Sequence, residues 1–594
     1  MQNEFGTSSV FNPVPFDSRD EQYKKPFGAV STREIITFNF PVDANMHVDG
    51  VALFLRRNQH SIKYPLTKVE TKDGYDLFTV DILVDREGTY FYRFEIYQYG
   101  NCLYCGKNPG TSKAIIGEFL PEWQLSIYES KYKTADFIKG GVVYQIFVDR
   151  FNKVGETAKP EYGVTKKWNE DVTIVDPDGV YRANDFYCGN FKGITAKLDY
   201  LESLGVTCLY LSPIFKSNSN HRYDTGDYLT IDPILGTEAD FKELVDKAKK
   251  KGISIVLDGV FNHTGADSIY FNKFGHFDSL GAYQSKESPY YDWYTFYDYP
   301  DEYMCWWGIT VVPTIARDAV GYRNLICGKD GVIDKWMKFG IKGWRLDVVD
   351  ELSSSFVEEI RTTIKSKDKD ALILGEVWED ASTKESYGEE RQYFYGEQLD
   401  GVMNYVYKAA ILEFLMNSDA YKFKESIETI MENYPLDSLN TCFTLIDSHD
   451  TFRAINVLAN VNVDNTDKQY RKNYMLSYSE YNQGREKLKL ASAIQFFLPG
   501  VPSIYYGDEI GMQGFEDPLN RRPFTWEHID LDLLDHYKML GEIRRNYRKA
   551  FTTRAVINAV NYDEIEIVRD GVTLQVNVKE GTFNITTKKV KNGK

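Results

Sequence analysis

From Gly141 onward the sequence alternates short apolar runs with longer segments that are apolar at helical spacing. This alternation predicts parallel strands connected by helices, an α/β fold. Helices are predicted at 194–204, 354–364, 406–416 and 485–497, and Thr237 with Asp240 three residues later predicts a helix N-terminus. The predicted strands are 142–147, 208–213, 253–257, the start of 342–351, 371–375, 401–405, 442–446 and 503–506. Eight β–α units that close on themselves make a (β/α)8 TIM barrel, which carries active sites at the C-terminal ends of its strands.

The segments before and after this α/β region show different sequence patterns. Short β-rich runs separated by turns such as Lys72-Asp73-Gly74 predict an N-terminal β-sandwich at residues 1–130. Such a domain could bind carbohydrate polymer, form a dimer or support the fold. We expect the barrel at 131–530, with an inserted domain at about 265–331 after strand 3. Residues 531–594 predict a helix and a short C-terminal β domain.

The inserted segment is crowded with Tyr, Trp and Phe. A long excursion from the barrel mouth is usually functional, and such rings could wall a sugar cleft. We expect most of them to form the core of a small subdomain instead. The whole chain has 15% aromatic residues, including 43 Tyr, which suits stacking on sugars but also a large aromatic core.

Charge and targeting signals narrow the class of partner. The net charge of −17 argues against nucleic acid and anionic membrane, because both require a basic surface. Residues 1–30 show no signal peptide, and no apolar stretch is long enough to cross a bilayer. We therefore expect a cytoplasmic protein. The seven scattered cysteines predict reduced thiols, and Cys102 with Cys105 form a lone CxxC that supports neither zinc nor redox chemistry.

Arg345 and Asp347 mark the end of the fourth predicted strand. Residues two apart in a strand project to the same face, and a guanidinium beside a carboxylate favours its ionised form. Asp347 therefore has the character of a nucleophile or an electrostatic stabiliser. A structural ion pair remains an equally good interpretation of this segment alone.

Polar residues end three further strands. Asp258, Asn262 and His263 follow the third strand, Glu376 ends the fifth, and Asp447, His449 and Asp450 follow the seventh. Glycoside cleavage needs a protonated acid for the leaving oxygen and an opposing carboxylate for the oxocarbenium-like carbon. Its neighbours Val377 and Trp378 give Glu376 an apolar setting, which favours the protonated form and makes it the better acid.

Three other side chains suit sugar binding. Asp450 is a third carboxylate that could hold sugar hydroxyls and raise the affinity of Glu376 for its proton. His263 and His449 could donate hydrogen bonds to hydroxyls next to the reacting carbon.

The four strand ends, in this order, resemble the four best-known motifs of the α-amylase family, glycoside hydrolase family 13. The resemblance implies a retaining double displacement at α-glucosidic bonds, with Asp347 as nucleophile, Glu376 as acid/base and Asp450 as transition-state stabiliser. It also implies that Arg345, His263 and His449 hold the cleaved glucose, that Tyr223 stacks on it and that Asp258 braces the site.

Narrower features are similar to the neopullulanase, cyclomaltodextrinase and maltogenic amylase group. They are residues 144–151, the N-terminal β domain, Glu376-Val377-Trp378 and residues 517–523. This similarity makes Trp378, Asp517 and Arg521 candidate substrate-binding residues. The sequence departs from the group at Val148, where Pro is usual, and residues 311–315 follow its fifth motif only loosely.

The resemblance implies a hydrolase for α-1,4-glucosidic bonds of maltooligosaccharides, cyclodextrins, starch or pullulan, with some transglycosylation. A 4-α-glucanotransferase or oligo-α-glucosidase would use the same carboxylates, and a catalytically silent glucan-binding protein is a further alternative. Relatives in this group imply a homodimer through the N-terminal domain. We expect no required cofactor. Asn152–Glu156 has too few oxygen ligands to support a Ca²⁺ site there, and Ca²⁺ binding stays an open alternative that no sequence feature supports.

Overall fold

The computed structural model describes residues 13–588 of the chain. Its N-terminal part is one eleven-stranded sheet. The strands are Pro13–Asp17, Lys24–Lys25, Val30–Ser31, Ile35–Asp43, Gly50–Arg57, His60–Lys72, Tyr75–Leu83, Gly88–Gln98, Asn101–Lys107, Lys113–Ile116 and Trp123–Tyr128.

This sheet folds over on itself. The long strand His60–Lys72 pairs with Gly50–Arg57 along its first half and with Tyr75–Leu83 along its second half. The strands that carry Phe40 and Phe94 are four positions apart in the sheet order, which in a flat sheet would separate them by roughly 19 Å. Their rings nevertheless stack with centroids 4.1 Å apart. The rings therefore lie between two layers, and the β-sandwich predicted from the sequence is confirmed.

Eight parallel strands close into a barrel. In chain order, barrel strands 1 to 8 are Val143–Ile146, Cys208–Leu211, Ser254–Gly259, Gly343–Leu346, Leu372–Val377, Gly401–Asn404, Phe443–Thr444 and Val501–Tyr505. The barrel closes where Val143 pairs with Ser503. All eight predicted strands are present, so the TIM barrel is confirmed.

Strand alternation divides the barrel residues between two cores. Inside the barrel, Tyr210, Val256 and Leu374 belong to one buried cluster. Their strand neighbours, such as Leu209 and Ile255, belong to the larger cluster that packs beneath the surrounding helices. Since successive residues point to opposite faces, the inward face that carries Val256 and Leu374 also carries the polar residues two positions further on.

The helices surround the barrel. Asp240 donates its backbone N–H to Thr237, and the Asp240 carboxylate accepts from the Thr237 backbone, so the predicted helix N-terminus is confirmed. The predicted helix 194–204 is instead two short helices that meet at Lys197. The α-helices are Val148–Phe151, Phe191–Ala196, Leu198–Ser203, Glu238–Lys250, Val320–Cys327, Val332–Met337, Ser354–Lys367, Tyr405–Asn417, Ala420–Asn433, Leu436–Leu439, Ala454–Leu458, Lys468–Asn473, Tyr478–Phe497 and Leu531–Asn546.

The aromatic segment inserted after barrel strand 3 has its own small core. Phe271 contacts Tyr294 and Tyr303, with ring centroids 4.8 and 4.7 Å away, and Trp293 packs on Tyr270. Most rings of the segment are thus structural, as expected.

Short two-stranded sheets lie in the segments that follow barrel strands 1, 2, 3 and 5. They pair Val164–Thr165 with Asp185–Phe186, Phe215–Ser217 with Thr225–Ile231, Phe296–Asp298 with Glu302–Tyr303 and Glu385–Ser386 with Glu389–Glu390.

A four-stranded antiparallel sheet follows the last helix. Its strands are Val556–Asn561, Glu564–Arg569, Val572–Asn577 and Thr582–Thr587. Ile557, Ile567 and Leu574 point inward and join the hydrophobic cluster around the barrel. The 3₁₀ helices are Ala44–Met46, Tyr291–Trp293, Trp306–Gly308, Val349–Glu351, Asp508–Ile510, Leu519–Arg521 and Ala550–Thr552.

Across residues 13–588, no helix combines the length and apolar character needed to span a bilayer. All seven cysteines lie in this range and are free thiols.

Candidate active site

The barrel brings the predicted carboxylates together at the C-terminal ends of its strands. Asp258 and Glu376 lie in barrel strands 3 and 5, and Asp347 directly follows strand 4. Asp258 lies two residues after Val256, and Glu376 lies two residues after Leu374. Both side chains therefore point to the inward face of the barrel, as Val256 and Leu374 do. The two-residue spacing therefore places these side chains at the mouth of the barrel.

Arg345 connects three of these carboxylates. Its side chain is fully buried. Nη1 donates to Oδ1 of Asp258 (2.9 Å) and to Oδ1 of Asp347 (2.6 Å), and Nη2 lies 2.9 Å from Oε2 of Glu376. One guanidinium thus holds Asp347 and Glu376 on neighbouring strands. This arrangement suits the separation of about 5–5.5 Å between the carboxyl groups of retaining glycosidases.

The pKa of Asp347 shifts in the direction opposite to the one predicted from the sequence. Burial raises the pKa of Asp347 well above its usual range, and the charges of Glu376 and Asp258 add to the effect, while Arg345 opposes it. The prediction that Arg345 keeps Asp347 ionised considered one partner only. In the structure a single positive charge is shared among three buried carboxylates, so it cannot compensate all of them.

The surroundings of Glu376 also differ from the prediction. Val377 points to the outer face of the barrel and is fully buried there. Oε2 of Glu376 accepts the backbone N–H of Val348 (2.9 Å), and Oε1 accepts Nε1–H of Trp378 (3.0 Å). The predicted apolar setting is therefore wrong, because strand alternation turns Val377 away and the indole presents its polar edge.

Asp258 and His449 share a network with Tyr223. Oδ2 of Asp258 accepts the hydroxyls of Tyr210 (2.6 Å) and Tyr223 (2.9 Å). The Tyr223 hydroxyl lies 2.7 Å from Nε2 of His449, whose Nδ1 accepts from Gln145 Nε2 (2.7 Å). Because an amide nitrogen only donates, His449 is neutral with its proton on Nε2. Burial, followed by the charge of Arg521, holds the pKa of His449 well below its usual value, in agreement with this tautomer.

His263 supports the Tyr223 loop. Its Nε2 donates to the backbone carbonyl of Tyr223 (3.1 Å), and its other nitrogen lies 3.4 Å from the Asn262 amide. Burial lowers the pKa of His263 to about 4, so the ring is neutral at neutral pH. His263 was predicted to donate to a sugar hydroxyl, but in the structure its N–H donates to the protein backbone.

Asp450 is near enough to Glu376 to be affected by its charge, and its side chain is partly exposed to solvent. Nε2 of His449 is 3.3 Å and Nη2 of Arg521 is 3.5 Å from its Oδ1. The surrounding protein and then the charge of Glu376 raise the pKa of Asp450 to about 7, against the opposing charge of Arg521. The side chain keeps 28% of its surface exposed, so water screens part of this effect.

Arg521 links Asp450 to Asp517. Nη1 lies 3.0 Å from Oδ1 of Asp517, and Nε donates to the backbone carbonyl of His449 (3.0 Å). Across the site, the ring of Trp378 is 45% exposed and stacks on Tyr405 at 3.8 Å. The structure therefore brings all of the predicted site residues to one mouth.

Three contributors were missed by the sequence analysis. Tyr210 and Gln145 lie on barrel strands 2 and 1, and the amide of Asn520 donates to the carbonyls of His449 (2.7 Å) and Thr451 (2.8 Å). Gln145 is a polar residue within an otherwise apolar strand, and this signal in the sequence could have identified it. Among the described residues, no group of three or more His, Cys, Asp and Glu side chains is arranged as in a metal site.

Comparison with known proteins places this geometry in a family. The alpha-amylase family (Alpha amylase, catalytic domain) matches residues 145–311 and 323–564. An amylopullulanase of Thermoanaerobacterium thermosulfurigenes is 33% identical over 592 residues, which is 90% of this chain but 31% of that protein. Neopullulanase 2 of Thermoactinomyces vulgaris is 35% identical over 444 residues, 73% of this chain and 67% of that protein.

A solved structure agrees over nearly the whole chain. The type III pullulan hydrolase from Thermococcus kodakarensis superposes with a TM-score of 0.66 at 25% identity, covering 95% of this chain and 94% of that one. This chain spans less than half the length of the amylopullulanases that it matches. The family match, the closed barrel and the carboxylates gathered on Arg345 agree, and the chain belongs to the α-amylase family, glycoside hydrolase family 13.

Proposed function

We propose that this chain is a retaining glycosidase that cleaves α-1,4-glucosidic bonds of maltooligosaccharides, cyclodextrins, starch or pullulan, with transglycosylation as a side reaction. The observation that carries the proposal is the shared guanidinium of Arg345, which holds Asp347 and Glu376 side by side. The relatives named neopullulanase, cyclomaltodextrinase and maltogenic alpha-amylase support the substrate class.

In the first step, an ionised oxygen of Asp347 attacks the anomeric carbon while Glu376 gives its proton to the leaving glucosidic oxygen. The C–O bond breaks and a glucosyl ester forms on Asp347. In the second step, Glu376 takes a proton from water, the water oxygen attacks the same carbon, and Asp347 leaves as a carboxylate. A sugar hydroxyl in place of water gives transglycosylation.

The crowding of carboxylates supplies the proton that this mechanism needs. Asp258, Asp347, Glu376 and Asp450 repel one another, and Arg345 and Arg521 compensate them only in part. The pKa values of Asp347 and Asp450 are therefore raised, that of Asp450 to about 7, so the cluster retains a proton near neutral pH. The mechanism gives Glu376 the role of transferring a proton to the leaving oxygen and needs Asp347 in its ionised form when substrate is bound.

We assign the remaining predicted residues to substrate binding. Asp450 accepts hydrogen bonds from hydroxyls of the reacting sugar. Its carboxylate also stabilises the positive charge that develops at the anomeric carbon of that sugar. His449 binds the same sugar, Tyr223 stacks on it, and Arg345 orients the carboxylates beneath it. Asp258 and His263 brace the loops around it. Asp517 and Arg521 bind the glucan on one side, and Trp378 binds it on the other.

Cleavage of α-1,6 bonds is a second candidate activity. It is favoured by the amylopullulanases, which align over 90% of this chain. Pullulan distinguishes the two bond types, because hydrolysis of its α-1,4 bonds releases panose and hydrolysis of its α-1,6 bonds releases maltotriose. The 4-α-glucanotransferase and oligo-α-glucosidase alternatives are also distinguished by their products, in this case with maltotriose as the substrate.

The test compares the wild-type protein with Asp347→Asn on β-cyclodextrin, soluble starch and pullulan, with products resolved by chromatography. We expect wild-type turnover on at least one of these glucans and a loss of roughly 10³-fold or more in kcat for the variant. Turnover that survives Asp347→Asn would contradict the assigned mechanism. Binding without turnover by the wild type would indicate the catalytically silent alternative.

The homodimer through the N-terminal domain and the cytoplasmic location remain predictions from the sequence. Sedimentation at micromolar protein tests the dimer, and a monomeric profile would exclude it.

A further inference from the structure

Two neighbouring tryptophans lie on the inserted segment, beside the active site but outside it. Trp306 and Trp307 both donate their indole Nε1–H to the same oxygen, Oε1 of Glu351, each at 3.0 Å. Their rings stack with centroids 5.4 Å apart and planes 28° apart. Trp307 is 81% exposed, and the same loop also exposes Met304, Ile309 and Val311. We call Trp306, Trp307 and Glu351 the tryptophan platform.

The tryptophan platform is continuous with the active site. Trp306 stacks on His263 with ring centroids 5.6 Å apart, and His263 holds the Tyr223 loop. Glu351 ends the 3₁₀ helix just after barrel strand 4, and its Oε2 accepts the Asn262 amide (3.1 Å). Trp306 thus lies between His263 of the active site and the exposed Trp307.

The barrel topology defines the side of the mouth on which the platform lies. The platform is carried by the segments after barrel strands 3 and 4, whereas Asp517 and Arg521 follow barrel strand 8. In a closed barrel of eight strands, strand 4 lies opposite strand 8. A glucan that contacts both groups therefore crosses the mouth above Asp347 and Glu376.

The conformation of the platform is costly without a ligand. Trp307 has φ 49° and ψ 31°, in the left-handed region, where a bulky side chain is disfavoured. Its indole also remains in water, although burial of a tryptophan is strongly favourable. The carboxylate of Glu351 holds both indoles by their N–H edges. Because Trp306 stacks on both His263 and Trp307, the outer ring face of Trp307 is the face left free. An indole face is suited to the apolar C–H face of a glucose unit.

We propose that Trp307, held by Glu351 and backed by Trp306, forms a stacking subsite for a glucose unit of the bound glucan on the side of the cleaved bond away from Asp517 and Arg521. This inference rests on the proposed function and deepens it by assigning a determinant of chain length. It implies that longer maltooligosaccharides gain affinity from the platform and that shorter ones gain less.

Calorimetric titration with maltoheptaose and with maltotriose in the Asp347→Asn background tests binding without turnover. We expect Trp307→Ala to raise the Kd for maltoheptaose about tenfold and that for maltotriose by less. Trp307→Phe keeps a ring and should stay within about threefold of the parent. Tyr297→Ala is the matched control, because Tyr297 is 69% exposed on the same segment; this change should leave both Kd values unaltered.

Kinetics in the otherwise wild-type enzyme provides the second measurement. Trp307→Ala should raise KM for maltoheptaose about tenfold with little change in kcat, because stacking of a remote glucose contributes equally to ground and transition states. Equal Kd values for Trp307→Ala and its parent would overturn the platform. If the wild type cleaves no α-glucan but maltoheptaose binding still depends on Trp307, the proposed function fails and the platform stands.

Discussion

Nη2 of Arg345 lies 2.9 Å from Oε2 of Glu376. The same guanidinium donates from Nη1 to Asp347, so the proposed nucleophile and the proposed acid share one cation. Substitutions at this site and elsewhere in the chain test what the contacts contribute.

Arg345→Lys should lower kcat/KM about 10³-fold, because a lysine ammonium is a point charge that cannot span two carboxylates. Asp347 would then lose part of the cation that opposes its raised pKa. The acid limb of the kcat/KM profile should therefore move to higher pH. The measurement is kcat/KM on maltoheptaose from pH 4 to 9.

Arg361→Lys is the control for that change, since Arg361 pairs with Asp400 on the outer side of the barrel. It should leave the profile unchanged. An unmoved acid limb in Arg345→Lys would show that the guanidinium does not govern the titration.

Asp450→Asn should remove activity but stabilise the protein at alkaline pH. The pKa of Asp450 is raised to about 7 in the folded state, against about 3.9 when unfolded. The folded protein thus retains a proton that the unfolded chain loses, and stability falls as pH rises from about 4 to 7. Asn carries no such penalty, so Tm at pH 8 should exceed that of the wild type by about 1–2 °C. Equal Tm values are expected at pH 4, and a lower Tm at pH 8 would contradict the raised pKa.

Tyr223→Phe and Tyr210→Phe form a matched pair. Each removes one hydroxyl from Oδ2 of Asp258, but only Tyr223 also contacts His449. We expect both variants to lose about 1–3 kcal/mol of unfolding free energy, because a buried acceptor loses a donor. Only Tyr223→Phe should also lower kcat/KM, by about 10–100-fold. Equal kcat/KM values for the two variants would show that the contact with His449 has no role in catalysis.

Gly541→Ala should destabilise the protein without changing kcat/KM. Gly541 lies in the helix Leu531–Asn546, and a Cβ there would collide with the backbone carbonyl of Leu204. The gain of about 1 kcal/mol in helix propensity is outweighed, because backbone cannot move aside as a side chain can. We expect a loss of about 1–3 kcal/mol in a denaturant titration. Gly50→Ala, where no atom lies within 4 Å of the added Cβ, should change stability by less than about 0.5 kcal/mol.

The sequence by itself determined the barrel and the positions of its polar strand ends. Periodicity and spacing are local properties, and they specify which face of a strand a residue occupies and at which end it lies. Arg345 and Asp347 were therefore predicted to share a face. The motifs around Asp258, Glu376 and Asp450 were likewise assigned to the mouth where they are found.

Only the tertiary structure decided the electrostatics of the site. Protonation depends on charges and burial contributed by distant segments, which spacing along the chain does not reveal. Arg345 turned out to serve three carboxylates rather than one, so the pKa of Asp347 rises instead of falling. Glu376 receives two N–H donors that the apolar character of its neighbours concealed.

For the tryptophan platform, too, the sequence determined one part and the tertiary structure decided the other. The sequence showed an inserted segment rich in rings but could not separate the packed rings from the exposed ones. Trp307 is exposed because its indole N–H pairs with Glu351, a residue of the next barrel strand's loop, 44 positions away in the chain. Hydrogen bonds between segments that are distant in sequence form only once the barrel has closed, so tertiary structure alone defines this surface.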